Sequence, residues 1–173
     1  SMQFNGVIYV GSENYLDRYS ISQSRWLSPI DMGDTVSRIV NDGTNIMVGT
    51  MGNGIHIVDS FGNVIDTWDS SDGLQSDDVS DLDVEGDWVV AIHPEDGASV
   101  FNTSVPGNVV ALTEETTDLD SDNPTGVAIH NGVAYIGTQF DGLNRYIIAN
   151  QTFLGSWVSV SYTHLTLPTR IFV

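Results

Sequence analysis

Three kinds of loop residue in this chain could do chemistry. Asp118-Leu119-Asp120-Ser121-Asp122-Asn123 places carboxylates at alternate positions, as the opening of a calcium loop does. An EF-hand also needs glycine at the sixth position and a bidentate glutamate at the twelfth, where this chain has Asn123 and Ile129. The motif is therefore no EF-hand, and a looser calcium site on Asp118, Asp120 and Asp122 is the one cofactor expectation. Asp69, Asp72, Asp77 and Asp78 crowd the corresponding loop one repeat earlier, which reads as polar capping of a shared connection. The second kind is histidine: His56, His93 and His130, with His164 near the C-terminal end. They fall at different places in the pattern, so they predict isolated surface or strand-end side chains and no shared metal, although the turn His93-Pro94-Glu95-Asp96 has ligand-type residues. The third kind lies in Met51-Gly52-Asn53, Pro94-Glu95-Asp96 and Gln139-Phe140-Asp141. There Asn53, Glu95, Asp96, Phe140 and Asp141 combine an aromatic ring with polar acceptors, a set suited to carbohydrate or another small polar ligand.

The segments around these loops repeat. Val7-Ile8-Tyr9-Val10-Gly11-Ser12, Asn45-Ile46-Met47-Val48-Gly49-Thr50, Trp88-Val89-Val90-Ala91-Ile92-His93 and Val133-Ala134-Tyr135-Ile136-Gly137-Thr138 are versions of one apolar phrase. A second phrase follows each, and its Gly54, Gly97 and Gly142 are spaced 43 and 45 residues apart. Short β-type runs at such a period predict a β-propeller with one four-stranded antiparallel blade per repeat. Composition agrees, since Val, Ile, Thr, Gly, Asn and Asp favour strands and turns over helices. The expected architecture is all-β, about three and a half to four blades over residues 1–159, with the ring not closed. Blades are expected over 2–34, 35–77, 78–122 and 123–159. The first is expected to begin in its second strand, near Gly6, as a chain cut inside a longer propeller would. Of the tryptophans, Trp88 reads as core, and Trp26, Trp68 and Trp157 read as packing between blades.

The formal charge of −18 comes from 23 acidic residues against five arginines. Such a surface disfavours nucleic acid and anionic membranes, and it reads as a solvated exterior or a surface for cations or a basic partner. No cysteine is present to form a disulfide or a thiolate metal site, and no run of 18 or more apolar residues could span a bilayer.

The stretch Asp72-Gly73-Leu74-Gln75-Ser76-Asp77-Asp78-Val79, followed by an apolar strand, the acidic turn Glu85-Gly86-Asp87 and Trp88 to Ile92, resembles the two-component-regulator propeller repeat. Gly73, Leu74, Ser76 and Val79 match its pattern, while Gln75 and Asp77 replace its proline and asparagine. Val48-Gly49-Thr50 with Gly54-Ile55, and Ile136-Gly137-Thr138 with Gly142-Leu143, match its second half. The resemblance implies a seven- or eight-bladed ring outside the cytoplasm (extracellular, periplasmic or on the cell surface), often the glycan-recognising part of a sensor. The remaining blades of the same propeller would be its nearest partners. Residues 160–173 have no counterpart in the repeats, and Val160 to Thr169 resembles a translated sequencing adapter. No nucleophile elbow, phosphate loop or zinc-protease helix occurs. The reading is a non-catalytic binding or sensing module. A propeller-scaffold enzyme of lyase or quinoprotein-dehydrogenase type and a purely structural surface repeat are the alternatives.

Overall fold

The computed structural model describes residues 1–157 apart from Pro106 and Asp118. The adapter-like tail therefore lies outside the described residues, as does one carboxylate of the calcium expectation. Among the described residues, seventeen strands form four antiparallel sheets. The first holds β1 (Met2–Phe4), β2 (Val7–Gly11), β3 (Tyr15–Ser20) and β4 (Arg25–Trp26), with β5 (Ile30–Asp31) also paired to β3. The second runs β6 (Val36–Asn41), β7 (Ile46–Thr50), β8 (Ile55–Val58), β9 (Val64–Trp68). The third runs β10 (Asp81–Glu85), β11 (Trp88–His93), β12 (Gly97–Asn102), β13 (Val109–Leu112). The fourth runs β14 (Pro124–His130), β15 (Val133–Thr138), β16 (Leu143–Ile147), β17 (Thr152–Trp157). In each, the first four strands pair in chain order, as hairpin-connected meanders do.

The first sheet is fuller than the sequence predicts. Met2, Gln3 and Phe4 pair with Tyr9, Ile8 and Val7, supplying the inner strand that was expected to be missing. The turn between them is Asn5-Gly6, both at positive φ (48° and 77°), an arrangement whose twist matches the flanking strands. The third sheet opens later than expected, at Asp81. Asp78 instead bridges Met51 of the preceding sheet, and Val79 N donates to Thr50 O at 2.7 Å. The connection between sheets is thus bonded back onto the sheet it leaves.

Three apolar clusters hold the arc together, one at each junction. Tyr9, Leu16 and Ile30 meet Ile46, Val48 and Val58 between the first two sheets. Ile55, Ile57 and Trp68 meet Leu82, Val89, Ala91 and Phe101 at the second junction, and Trp68 stacks on Phe101 with centroids 4.5 Å apart. Val90, Ile92, Ala98 and Leu112 meet Ala134, Ile136 and Tyr146 at the third. The continuous apolar run of β7 is fully buried because a neighbouring sheet covers each of its faces. Trp68 packs between sheets as predicted, whereas Trp26 and Trp157 are 61% and 57% exposed and Trp88 is half-buried. Trp26 and Trp157 lie on the first and last sheets, each of which lacks a neighbour on one side among the described residues.

Part of the acidic charge is structural. β14 is an edge strand, and an edge leaves backbone N–H groups unpaired. Asp81, Asp83 and Glu85 alternate along β10 and accept them: Val127 N at 3.0 Å, Ile129 N at 2.7 Å, and Asn131 N and Gly132 N at 2.8 and 2.6 Å. The two backbone bonds hold the Glu85 carboxyl below its usual range. On its other side Asp81 pairs with Arg38 of β6 at 3.1 Å, so the three first strands are tied in sequence.

Candidate functional site

Antiparallel order puts the loops between second and third strands at the same end of the arc as the connections between sheets. That end carries Asn53, Glu95, Asp96, Phe140 and Asp141, whereas His130, at the turn from β14 to β15, lies at the other. A repeated hydroxyl shapes its turns. Thr50 and Thr138 end the second strand of their sheets and Ser12 directly follows it in the first; they donate to the carbonyls of Gly54, Gly142 and Tyr15 at 2.9, 3.3 and 3.0 Å. In the second sheet the Asn53 amide donates to Met32 O at 2.8 Å and lies 3.1 Å from His56 Nε2, so Asn53 ties this turn to the incoming connection.

The third sheet has His93 in the hydroxyl's place. It is wholly buried, with Nδ1 2.9 Å from Asp78 O and Nε2 2.9 Å from Ser99 Oγ. A carbonyl only accepts, so Nδ1 carries the proton and the Ser99 hydroxyl donates to Nε2. Ser99 Oγ in turn accepts from Gln75 N at 3.0 Å. The expected strand-end histidine is thus the centre of a closed network, a role hidden in the sequence because Asp78, Ser99 and Gln75 come from three segments. Burial lowers its pKa from the ordinary value, and His56 is lowered for the same first reason. The unfolded chain therefore takes up these protons first as pH falls. The stability they contribute is complete above the unfolded pKa of about 6.5 and is lost as pH falls through the folded values. His93→Thr, which installs the residue of the neighbouring sheets, should flatten the fall in urea midpoint between about pH 7 and 5. One histidine accounts for at most about 1.4 kcal/mol per pH unit. An unchanged pH slope in the variant would refute the assignment.

Beside this network, Gln75, Glu95, Asp96, Glu114, Glu115 and Asp122 line an open groove of about 310 Å³. Asp96 N bonds His93 O at 3.2 Å, and Glu95 sits at φ 66° behind Pro94, the arrangement of a type II turn whose third residue is usually glycine. An L-residue there costs roughly 1–2 kcal/mol. Asp122 and Glu114 bond each other's backbone N–H, at 2.6 and 3.3 Å, which fixes the far wall. The structure thus brings Glu95, Asp96 and Asp122 together. Phe140, 83% exposed, and Asp141 stay on the fourth sheet's turn and do not line the groove, nor does Asn53. Among the described residues no three His, Asp or Glu side chains are placed to share a cation. Glu114, Glu115 and Gln75 were missed as site residues; their clustering comes from the fold of two connections and carries no sequence motif.

Four consecutive antiparallel sheets, each built on four strands paired in chain order (the first with β5 added) and stacked about an arc, decide the architecture. The chain is a partial β-propeller. Known structures agree. The computationally designed protein Ika8 superposes with a TM-score of 0.72 at 13% identity, over 90% of this chain and 47% of its own. The extracellular domain of BT3049 from B. thetaiotaomicron, a protein ascribed to the hybrid two-component systems, gives 0.72 at 14%, over 91% of this chain and 24% of its own. The Pan2 WD40 domain of Neurospora crassa gives 0.62 at 14%, over 88% and 50%. The propeller described here thus spans about half the length of two of these chains and a quarter of the third. At such identities the likeness shows the fold alone. No family model matches the sequence. No curated protein matches it either. No helix among the described residues is long and apolar enough to cross a membrane.

Proposed function

We propose that this propeller is a non-catalytic binding or sensing module of an exported or surface protein. In this reading the groove beside Glu95 takes a neutral polyhydroxylated ligand, a glycan being the natural class. The observation that carries it is Glu95 itself. A glutamate held in backbone suited to glycine costs stability, and such residues persist where the side chain has a task. With Asp96, Glu114, Glu115 and Asp122 it offers carboxylate acceptors that can each take two hydroxyl donors, and Gln75 adds an amide. The groove's volume falls in the usual range for small-ligand sites. Both nitrogens of the nearby histidine are already committed to Asp78 and Ser99, so this imidazole has no free lone pair with which to act as a general base. The extracellular setting of BT3049 supports the assignment outside the cytoplasm.

Glu95→Gly separates function from fold. Relieving the left-handed strain should leave stability equal or higher, by up to about 1–2 kcal/mol, while glycan-array signal and calorimetric binding fall at least tenfold. Equal binding by both proteins, or none by the parent to any glycan, would remove the proposal.

A further inference from the structure

The last sheet presents a face that the pattern of the other three says should be covered. Leu16, Ile55, Ala98 and Leu143 hold one position in the repeat, and their outer-strand partners across the ladder are Ile30 (on β5 in the first sheet), Trp68, Leu112 and Trp157. The first three partners are buried, at 9%, 3% and 0% exposure, each against the sheet that follows. Trp157 is 57% exposed. It shares its face with Val133, Tyr135, Leu143 and Ile147, and the Arg145 guanidinium lies 4.2 Å from its ring centroid.

The opposite end of the arc carries the matching surface. In the third sheet, Val89, Ala91, Phe101 and Val109 form the side that receives Trp68. The same repeat positions in the first sheet are Ile8, Val10, Tyr19 and Trp26, and Trp26 stands edge-on to Tyr19 at 5.4 Å with nothing of the described chain over it. Tyr19 holds the place of Phe101, the ring on which Trp68 stacks. Asp17, two residues before Tyr19 on β3, gives this side a negative charge to set against Arg145.

We infer that a second copy of this chain is the occupant. Two copies would associate head to tail, the Trp157 face of each covering the Tyr19 face of the other, and so close one ring of eight sheets. Three features support it. The interface would continue the one repeated three times inside the chain. The charges on the two faces are opposite in sign. The arc also matches about half of the Ika8 and Pan2 WD40 chains, so its curvature suits a ring of two such arcs. A heterologous contact of this kind closes when its rotation divides a full turn and otherwise propagates. Closure would also cover every exposed sheet face at the ends of the arc.

Sedimentation and light scattering on the 173-residue chain test it. The expected mass is twice the chain's 18.8 kDa, with no larger species. Trp157→Glu and Tyr19→Glu should each weaken association about 30-fold or more, with the β-type circular dichroism unchanged. Mixing the two variants should restore dimers, because one of the two joints in the mixed ring is then intact. A monomeric parent chain would overturn the inference and leave the face to a fifth sheet continuing the polypeptide or to another protein. A ladder of oligomers, or dimers indifferent to both substitutions, would overturn it as well.

Discussion

Gly97→Ala is expected to lower the unfolding free energy by roughly 2–5 kcal/mol, a large share of what a domain possesses. Gly97 sits at φ 80°, where a Cβ would lie 2.3 Å from the carbonyl oxygen of Leu112. Left-handed backbone alone penalises alanine by about 1–2 kcal/mol, and forcing the fourth strand aside adds about 1–3 kcal/mol. A Cβ is fixed by the backbone it grows from and its neighbour is a backbone carbonyl, so no side-chain rotation relieves the contact. Gly54 repeats the geometry, at φ 65° and 2.1 Å from Trp68 O, which explains why glycine marks the repeat. Urea denaturation followed by circular dichroism reads the loss, and a midpoint within error of the parent would show that β13 yields without strain.

Trp68→Ala should destabilise by about 3–5 kcal/mol. The indole is 3% exposed, stacked on Phe101, and its Nε1 donates to Asp66 Oδ2 at 3.1 Å. Truncation would open a void at the junction between the second and third sheets, where the residues around it are held by both sheets and cannot collapse inward. Phe61→Ala is the control, because that ring is 84% exposed and its loss should change stability by no more than about 0.5 kcal/mol. In a stacked array each sheet is stabilised chiefly by its neighbours. Unfolding of the Trp68 variant should therefore broaden or split as the arc divides at this junction. Equal effects from the two substitutions would contradict the packing described.

The repeat was legible because its cause is local. Strand alternation, the apolar second-strand phrase and a glycine forced by a close carbonyl recur whenever the same hairpins recur. The inner strand that the sequence reading lacked is also local: Asn5-Gly6 is a strong hairpin signal, masked because only four residues precede it. The histidine network and the groove were illegible for another reason. Gln75, Asp78, His93 and Ser99 meet only after two sheets and their connection have packed, and nothing in their sequence spacing announces it. The acidic composition suggested a solvated surface, yet Asp81, Asp83 and Glu85 bond the edge of the next sheet.

The sequence alone determined that this chain builds one four-stranded module repeatedly, since turn chemistry and side-chain period act within a few residues. Tertiary structure decided which polar side chains are shared between modules, which tryptophans are covered, and where carboxylates converge into a groove. Those outcomes depend on how neighbouring sheets face one another, and that relation is set by packing between segments distant in the chain, 24 residues apart for Gln75 and Ser99 and 46 for Asp81 and Val127.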